Sequence, residues 1–506
     1  MAVSFLAGFF GSMGIYRLVF SPIRNFPGPR LGALSSFYRV YIALRSNIRL
    51  FTEVEKLHEQ YGDYVRVGPR EISILNPSAI PLLYGPKTKC RRGPWYDHIR
   101  GNEEDKHVLN IRDPALHSQR RRVLDRGLSS KALADYESRV QSTVDDFVKA
   151  LDERVGTPID MTSWVNFFSF DAMGRIAYNV DFGMLQRGEG TVKMEGRSTS
   201  LKVLHDAMKV FGIIGAVPWL FRMISQTGGG GEIKTFFEWC NSAMEMKQRT
   251  FNPTHDTPTD IASHILAAQT DATKHPQTPL ALKNTSSLLI LAGSDTAASA
   301  MTNALFYLFR DPVRLRKLRA QLDALPDADA PSPRSLASVR YLDCVLNETL
   351  RLKPPACEGL TRETPAGGIT VPPPPGGDKS SSAGGGTPVF IPANTIVAVP
   401  TWALHRDTRF WGSDAGSFRP ERFEDMGDLL AETAPFIPFT RGACTCPGKA
   451  LAYVEMRAVV AAVVGRFDVV EVVGGEEGMR AFDEGCVDSF TLTNRPLWVV
   501  LRRRER

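Results

Sequence analysis
Cysteine is scarce: seven are scattered over 506 residues, at Cys90, Cys240, Cys344, Cys357, Cys444, Cys446 and Cys486. An odd, irregularly spaced set in so long a chain argues against a disulfide framework and for a reducing compartment. The closest pair, Cys444 and Cys446, lacks the second Cys or His pair that a structural zinc site requires. Charge of one sign is scarce too, since 61 basic against 55 acidic residues leave only +6. No basic stretch interleaved with aromatics is present, which argues against nucleic acid as a partner. The local excess at residues 502–506, four arginines around Glu505, reads as a solvated, disordered end rather than a binding site. There is no internal repeat, and no flavin or nicotinamide fingerprint.

What is present is an ordinary globular mixture, 43% hydrophobic and 23% charged, able to bury a large core. Apolar residues at helical spacing run through 136–151, 284–309, 314–325 and 448–464. Strand-like runs are short: 64–67, 72–74, 389–391, 396–399 and 497–501. A helix-dominated body with small peripheral sheets follows. Residues 1–20 are apolar apart from a few hydroxyls and Arg17. They have neither the basic leader nor the cleavage site of a secretory signal peptide. They are long enough to span a thin bilayer if Arg17 snorkels, with Arg17, Arg24 and Arg30 holding that side in the cytosol; a buried or surface-lying helix is the alternative. Phe26-Pro27-Gly28-Pro29 then acts as a stiff hinge. Two stretches read as loops. One is the glycine run at 228–231, and the other is 372–386, rich in Pro, Gly and Ser, a flexible insertion between two strands of one sheet.

Three segments carry chemistry. In the first, Phe439-Thr440-Arg441-Gly442-Ala443-Cys444-Thr445-Cys446-Pro447-Gly448 leads into a helix. A thiol just before a helix N-terminus faces unpaired N–H groups and the positive dipole end, which favour the thiolate. Gly442 and Gly448 are expected to let the backbone approach a flat ligand. In the second, the apolar helix 288–296 suddenly acquires Gly293, Asp295 and Thr296. Glycine there costs about 1 kcal/mol relative to alanine, and a buried carboxylate costs more unless paired, so local rules are broken without visible compensation. Thr296 is expected to bond back to the carbonyl of Ala292 and distort the helix. In the third, Glu348 and Arg351 share a helix face at i and i+3. Taken alone this reads as a surface ion pair worth about 0–1 kcal/mol.

Together these segments resemble the cytochrome P450 family of haem-thiolate monooxygenases, and the resemblance runs from Phe26 to the last strand. The family's haem loop, Phe-x-x-Gly-x-Arg-x-Cys-x-Gly, is matched at Phe439, Gly442, Cys446 and Gly448. By that spacing Cys446, not Cys444, is the implied iron ligand, and Cys444 stands where the family has a propionate-binding arginine. Ala292 to Thr296 match Ala/Gly-Gly-x-Asp/Glu-Thr, implying proton delivery by Asp295 and Thr296 and a groove for oxygen at Ala292 and Gly293. Glu-x-x-Arg in this family forms a buried triad with a distant arginine, implying Arg422 as the structural partner of Glu348 and Arg351. His117 and Arg121 resemble the Trp/His-x-x-x-Arg propionate pair, with Arg120 or Arg122 as alternatives to Arg121. Arg362 resembles a further propionate arginine. Trp95-Tyr96-Asp97 and Gly442-Ala443-Cys444 resemble fungal secondary-metabolism members, among them the tryprostatin hydroxylase type.

The implied fold is mainly α with small β-sheets, the P450 fold. Its organisation is a membrane anchor at 1–22, a proline-rich hinge at 23–30 and a single catalytic domain at 31–506. The implied reaction inserts one atom of O2 into a small hydrophobic substrate at haem b (iron protoporphyrin IX). Electrons would come from NADPH through a separate NADPH-cytochrome P450 reductase, with cytochrome b5 as a second donor, at the endoplasmic reticulum membrane with the catalytic domain cytosolic. A haem-thiolate isomerase or dehydratase and a non-catalytic haem sensor are the rivals; retention of Asp295 and Thr296 argues against both. Pocket candidates lie in 95–109, 203–221, 288–296, 356–360 (with Leu360) and 489–493, and Glu358 is either a surface carboxylate or a contact for a basic substrate nitrogen.

Overall fold
The computed structural model describes residues 1–98, 102–217, 219, 220, 223, 231–271, 276–374, 386–425 and 435–505. Most of the expected loop at 228–231 and of the insertion at 372–386 lies outside the described residues. The longest element is the central helix Pro279–Arg310, 32 residues. Thr278 caps it by accepting the Ala281 N–H at 3.1 Å, and Pro279 occupies the first turn, where a missing N–H costs nothing. Helices Met161–Tyr178, Gly231–Thr250, Arg340–Leu352 and Lys449–Arg466 pack around it. It is therefore buried on most sides, and no polar face runs along its length.

Among the described residues the strands form five small sheets. The largest has five strands in the order Tyr64–Gly68, Glu71–Ile74, Ile396–Ala398, Arg362–Glu363, Arg91–Arg92. Its one parallel pairing joins Ile396–Ala398 to Glu71–Ile74. Strand alternation in Arg91–Arg92 sends Arg91 outward to Glu363 at 2.8 Å and buries Arg92. Ile369–Val371 pairs with Val389–Ile391, so the strands flanking the insertion do form one sheet. All seven cysteines are free.

Helical residues Ala2–Phe20 form a segment long and apolar enough to cross a membrane, with none of it buried. Behind it the proline hinge is docked rather than free. Arg66 N–H donates to Pro27 O at 2.7 Å, and a Cβ on Gly28 would collide with Arg66 O. The basic tail corrects the expectation of a disordered end. Trp498–Arg503 is a strand, Arg503 pairs with Asp152, and Arg504 Nη2 lies 2.6 Å from Asp323 Oδ2. Pairing with Phe467–Val472 and Pro158–Asp160 orders the segment, while the Arg502 and Arg503 side chains stay exposed.

One buried group sets a pH dependence. Glu455, on Lys449–Arg466, is 1% exposed and its Oε1 has no hydrogen-bond partner. Burial pushes its carboxyl up to about 8 from an ordinary 4.5. A raised carboxyl favours the fold fully below the unfolded value, and that contribution is lost as pH rises towards the folded one. Unfolding free energy is therefore expected to fall from about pH 4.5 to about 8, by up to about 1.4 kcal/mol per unit. Glu455→Gln should flatten that slope in urea titrations run across this range.

Candidate active site
The loop before Lys449–Arg466 is shaped by backbone bonds. Cys446 N–H donates to Phe439 O at 3.0 Å and the Thr440 hydroxyl to Cys444 O at 2.9 Å. Phe439 packs on Tyr453, with ring centroids 5.6 Å apart. Gly442 has φ +69°, and a Cβ there would collide with Tyr84 O. The protein's own backbone is by itself enough to require glycine at 442. Gly448 has an ordinary φ of −81°, and its Cβ would sit 3.9 Å from Cys446 Sγ.

Cys446 is an exposed residue, yet protein closes around its thiol. Burial pushes the thiol above its ordinary value; the N–H of Gly448, Arg121, the N–H of Lys449 and its ammonium pull it down. The helix N-terminus acts in the expected direction, but burial outweighs it. A bound metal cation would reverse that balance, because a coordinated thiol is deprotonated outright.

Beside this loop lies a cluster of cations. Arg92, buried, donates to Val108 O at 2.9 Å and Ile111 O at 2.6 Å, and its Nη2 approaches His117 Nε2 at 3.1 Å. Burial, then Arg92, Arg121 and Arg362, push His117 down to about 3. The ring is therefore neutral, accepts from Arg92 at Nε2 and carries its proton on Nδ1. Arg121 reaches the Thr445 carbonyl of the cysteine loop and pairs with Asp125. Of the two alternatives to it, Arg122 is exposed and Arg120 points to Glu104 O at 3.3 Å. Arg362 is 1% exposed, stacks over Tyr84 at 4.9 Å, and leaves Nη2 without a partner, as does the Tyr96 hydroxyl. Neither Arg92 nor Arg362 has a carboxylate partner among the described residues. Cys444 lies close enough to both to shift their titration. Arg92 is absent from the motifs; the alternation of a two-arginine strand is the signal that could have found it.

On the central helix, the Thr296 hydroxyl donates back to Ala292 O at 2.8 Å, as expected. Ala292 is exposed midway along the central helix, where its neighbours are buried or half-buried. Gly293 also serves packing: its Cβ would lie 2.6 Å from Met173 Sδ on Met161–Tyr178. Asp295 is engaged on both oxygens, Oδ1 with His205 Nε2 at 3.0 Å and Oδ2 with the Thr491 hydroxyl. Neither partner is visible in the local motif.

Glu348 and Arg351 are fully buried, correcting the reading of a surface pair that the segment alone suggests. Arg351 forks onto Glu348 at 2.7 and 2.8 Å and donates to the carbonyls of His405, Ala415 and Ser417. Arg422 joins at 3.5 Å from Glu348 Oε1. His405 Nε2 accepts the Ile437 N–H at 3.0 Å, tying this network to the segment that enters the cysteine loop.

The pocket segments meet in an aromatic trio. Trp95 and Phe490 stack at 5.2 Å, with Phe211 edge-on to both at 5.5 and 5.7 Å. Leu360 packs instead against the core beside the five-stranded sheet, its carbonyl accepting from the Tyr84 hydroxyl at 2.8 Å. Glu358 pairs with Arg39, which also meets Glu71 at 3.5 Å.

The family model for cytochrome P450 matches residues 34–495. This chain belongs to the cytochrome P450 family. A cytochrome P450 monooxygenase of Eupenicillium brefeldianum is 35% identical over 99% of this chain and 95% of its own length. Another from Fusarium pseudograminearum is 33% identical over 99% of this chain and 86% of its own. Tryprostatin B 6-hydroxylase of Aspergillus fumigatus is 31% identical over 100% of this chain and 85% of its own. The chain is thus a P450 monooxygenase, an oxidoreductase of a family that uses haem and O2. The residues present fit that group. A solitary free thiol faces helix-end N–H groups, and buried guanidinium and hydroxyl donors without acceptors suit two carboxylates. Since Arg92 stands beside Cys444, the P450 loop arginine missing at that position has a neighbouring cation in its stead.

Proposed function
We propose that this P450 hydroxylates a hydrophobic, ring-bearing metabolite in fungal secondary metabolism, drawing electrons from an NADPH-cytochrome P450 reductase, with cytochrome b5 as a second donor. Residues 1–22 anchor it to the endoplasmic reticulum membrane, 23–30 link the anchor, and the cytosolic domain 31–506 carries the reaction. The observation that carries this reading is the free Cys446 sulfur, held by loop bonds at the start of Lys449–Arg466.

Haem bound through Cys446 would supply O2 activation, with electron donation from the thiolate sulfur favouring O–O cleavage. Arg92, His117 Nδ1–H, Arg121, Arg362 and the Tyr96 hydroxyl hold the propionates. Phe439, Gly442 and Gly448 shape the thiolate loop, and Glu348, Arg351 and Arg422 brace the segment behind it. Asp295 and Thr296 pass protons to the oxygen pocket beside Ala292 and Gly293. Trp95, Phe211 and Phe490 offer aromatic faces to the substrate, and Leu360 backs the pocket from the sheet side.

The test is turnover. Candidate substrates are chosen from alkaloid, terpenoid and polyketide panels by low-spin to high-spin shifts. Product formation should then require both NADPH and reductase; rearrangement without either would overturn the proposal in favour of an isomerase. Trp95→Ala is expected to weaken planar aromatic ligands by about 1 kcal/mol, roughly 5-fold in Kd, read by the same spin-shift titration.

A further inference from the structure
The Asp295 carboxylate has no oxygen to spare. Burial pushes this carboxyl up, but the contacts of His205 and Thr491 prevail and hold it below its ordinary value. A carboxylate so held has no proton of its own to deliver. Of its two partners, the Thr491 hydroxyl is not an acid near neutrality, whereas imidazole is the side chain suited to proton exchange there.

We propose that His205 is the residue that supplies protons to Asp295, so the relay to the reaction centre begins on the helix Leu201–Ile214 and not on the central helix. The position of His205 suits this role. Its side chain is 23% exposed against 13% for Asp295, so the ring is the more accessible member of the pair while its Nε2 meets the carboxylate. The helix's other charges are paired among themselves, Asp206 with Lys202 at 2.6 Å and with Lys209 at 3.0 Å. Charges on the neighbouring elements are likewise engaged. Arg39 is held by Glu71 and Glu358, Arg197 by Glu245 at 3.3 Å, and Lys234 by Glu238 at 3.7 Å. Asp488, on the hairpin that carries Thr491, is pushed well up by burial and by the Glu358 carboxylate, with Arg39 opposing.

The step is a plain proton transfer. The Nε2–H bond of the imidazolium breaks and an O–H bond forms on Asp295 Oδ1. Asp295 returns to the carboxylate by passing a proton on past Thr296, and the neutral ring is reprotonated by water. The protons are consumed in the overall balance, substrate RH plus O2, NADPH and H+ giving ROH, H2O and NADP+, so no further reactant is needed.

This inference rests on the monooxygenase reading, and two measurements separate them. The first needs no turnover: the infrared difference between holoprotein and its D295N variant isolates the Asp295 carboxylate band. That band should shift when the same difference is taken in an H205Q background. In the second, reductase-driven NADPH oxidation is followed with indole as the probe. H205Q and H205N should lower it by about 10²-fold, the low end for a positioned proton donor, with a larger solvent isotope effect. H205Q/D295N should be no slower than the slower single variant. Reduced carbon-monoxide spectra at wild-type intensity confirm the fold of each variant. An unshifted band, or a wild-type rate and isotope effect in H205Q, overturns the role of His205 alone. Absence of NADPH oxidation with indole and with every compound that gives a spin shift overturns the monooxygenase reading and the relay with it.

Discussion

Cys446→Ala is expected to abolish the thiolate-type Soret band of the reduced carbon-monoxide complex and to reduce turnover to background, while Cys444→Ala keeps both. The two cysteines are separated by one residue, Thr445, yet their surroundings differ in kind. The sulfur of Cys446 receives the N–H groups of Gly448 and Lys449 at a helix start, whereas Cys444 lies among the guanidinium groups of Arg92 and Arg362. The loop is held by main-chain bonds and the Thr440 hydroxyl, none of which uses the Cys446 side chain. Removing the sulfur should therefore leave the fold intact, with far-ultraviolet circular dichroism unchanged and a melting temperature within a few degrees. Porphyrin can still be retained by the cation cluster, so a coloured protein lacking the thiolate band is the expected product. A Cys446→Ala protein that retained that band would place the ligand elsewhere.

The cysteine loop and the Ala292–Thr296 segment were legible because each is contiguous: the chain itself supplies the spacing that the chemistry needs. What was not legible lies across space. His205 and Thr491 come to Asp295 from 90 and 196 residues away, and Arg92 comes to His117 from 25. No local pattern announces such meetings, because helix packing and a hairpin bring the partners together. Glycine was legible as a residue but not in its cause. At 442 the crowding atom is Tyr84 O, and at 293 it is Met173 Sδ. The tail failed for the opposite reason: its composition is that of a solvated end, and only backbone pairing with Phe467–Val472 and Pro158–Asp160 makes it a strand. Secondary structure was read well where apolar periodicity was long. The helices at 136–151 and 284–309 extend a few residues beyond the reading, to Ser130–Asp152 and Pro279–Arg310, because caps at Ser129 and Thr278 rather than apolar spacing decide where they begin.

The same distinction between local and distant partners sets the expected result for Arg351→Ala, a loss of about 3–5 kcal/mol of stability, the cost of breaking a buried ion pair from one side. An i,i+3 pair looks alike in sequence whether it is wet or dry, but here both side chains are 0% exposed. The guanidinium binds Glu348 with two nitrogens and feeds three carbonyls, on His405, Ala415 and Ser417, the first two in fully buried bonds. Alanine would strand the Glu348 carboxylate with the backbone N–H of Arg419 at 2.9 Å and the more distant Arg422 as compensation. Arg351→Lys should recover only part of the loss, because an ammonium is a point donor and cannot reproduce the planar fork. The damage should spread towards the thiolate. His405 accepts the Ile437 N–H, and Ile437 lies two residues before Phe439, whose carbonyl holds the Cys446 amide. Urea unfolding should therefore show a lowered midpoint, and haem transfer to apomyoglobin should accelerate in both variants, more in alanine than in lysine. Equal haem loss in Arg351→Ala and the unaltered protein would mean that this network supports the core alone and not the loop that presents the sulfur.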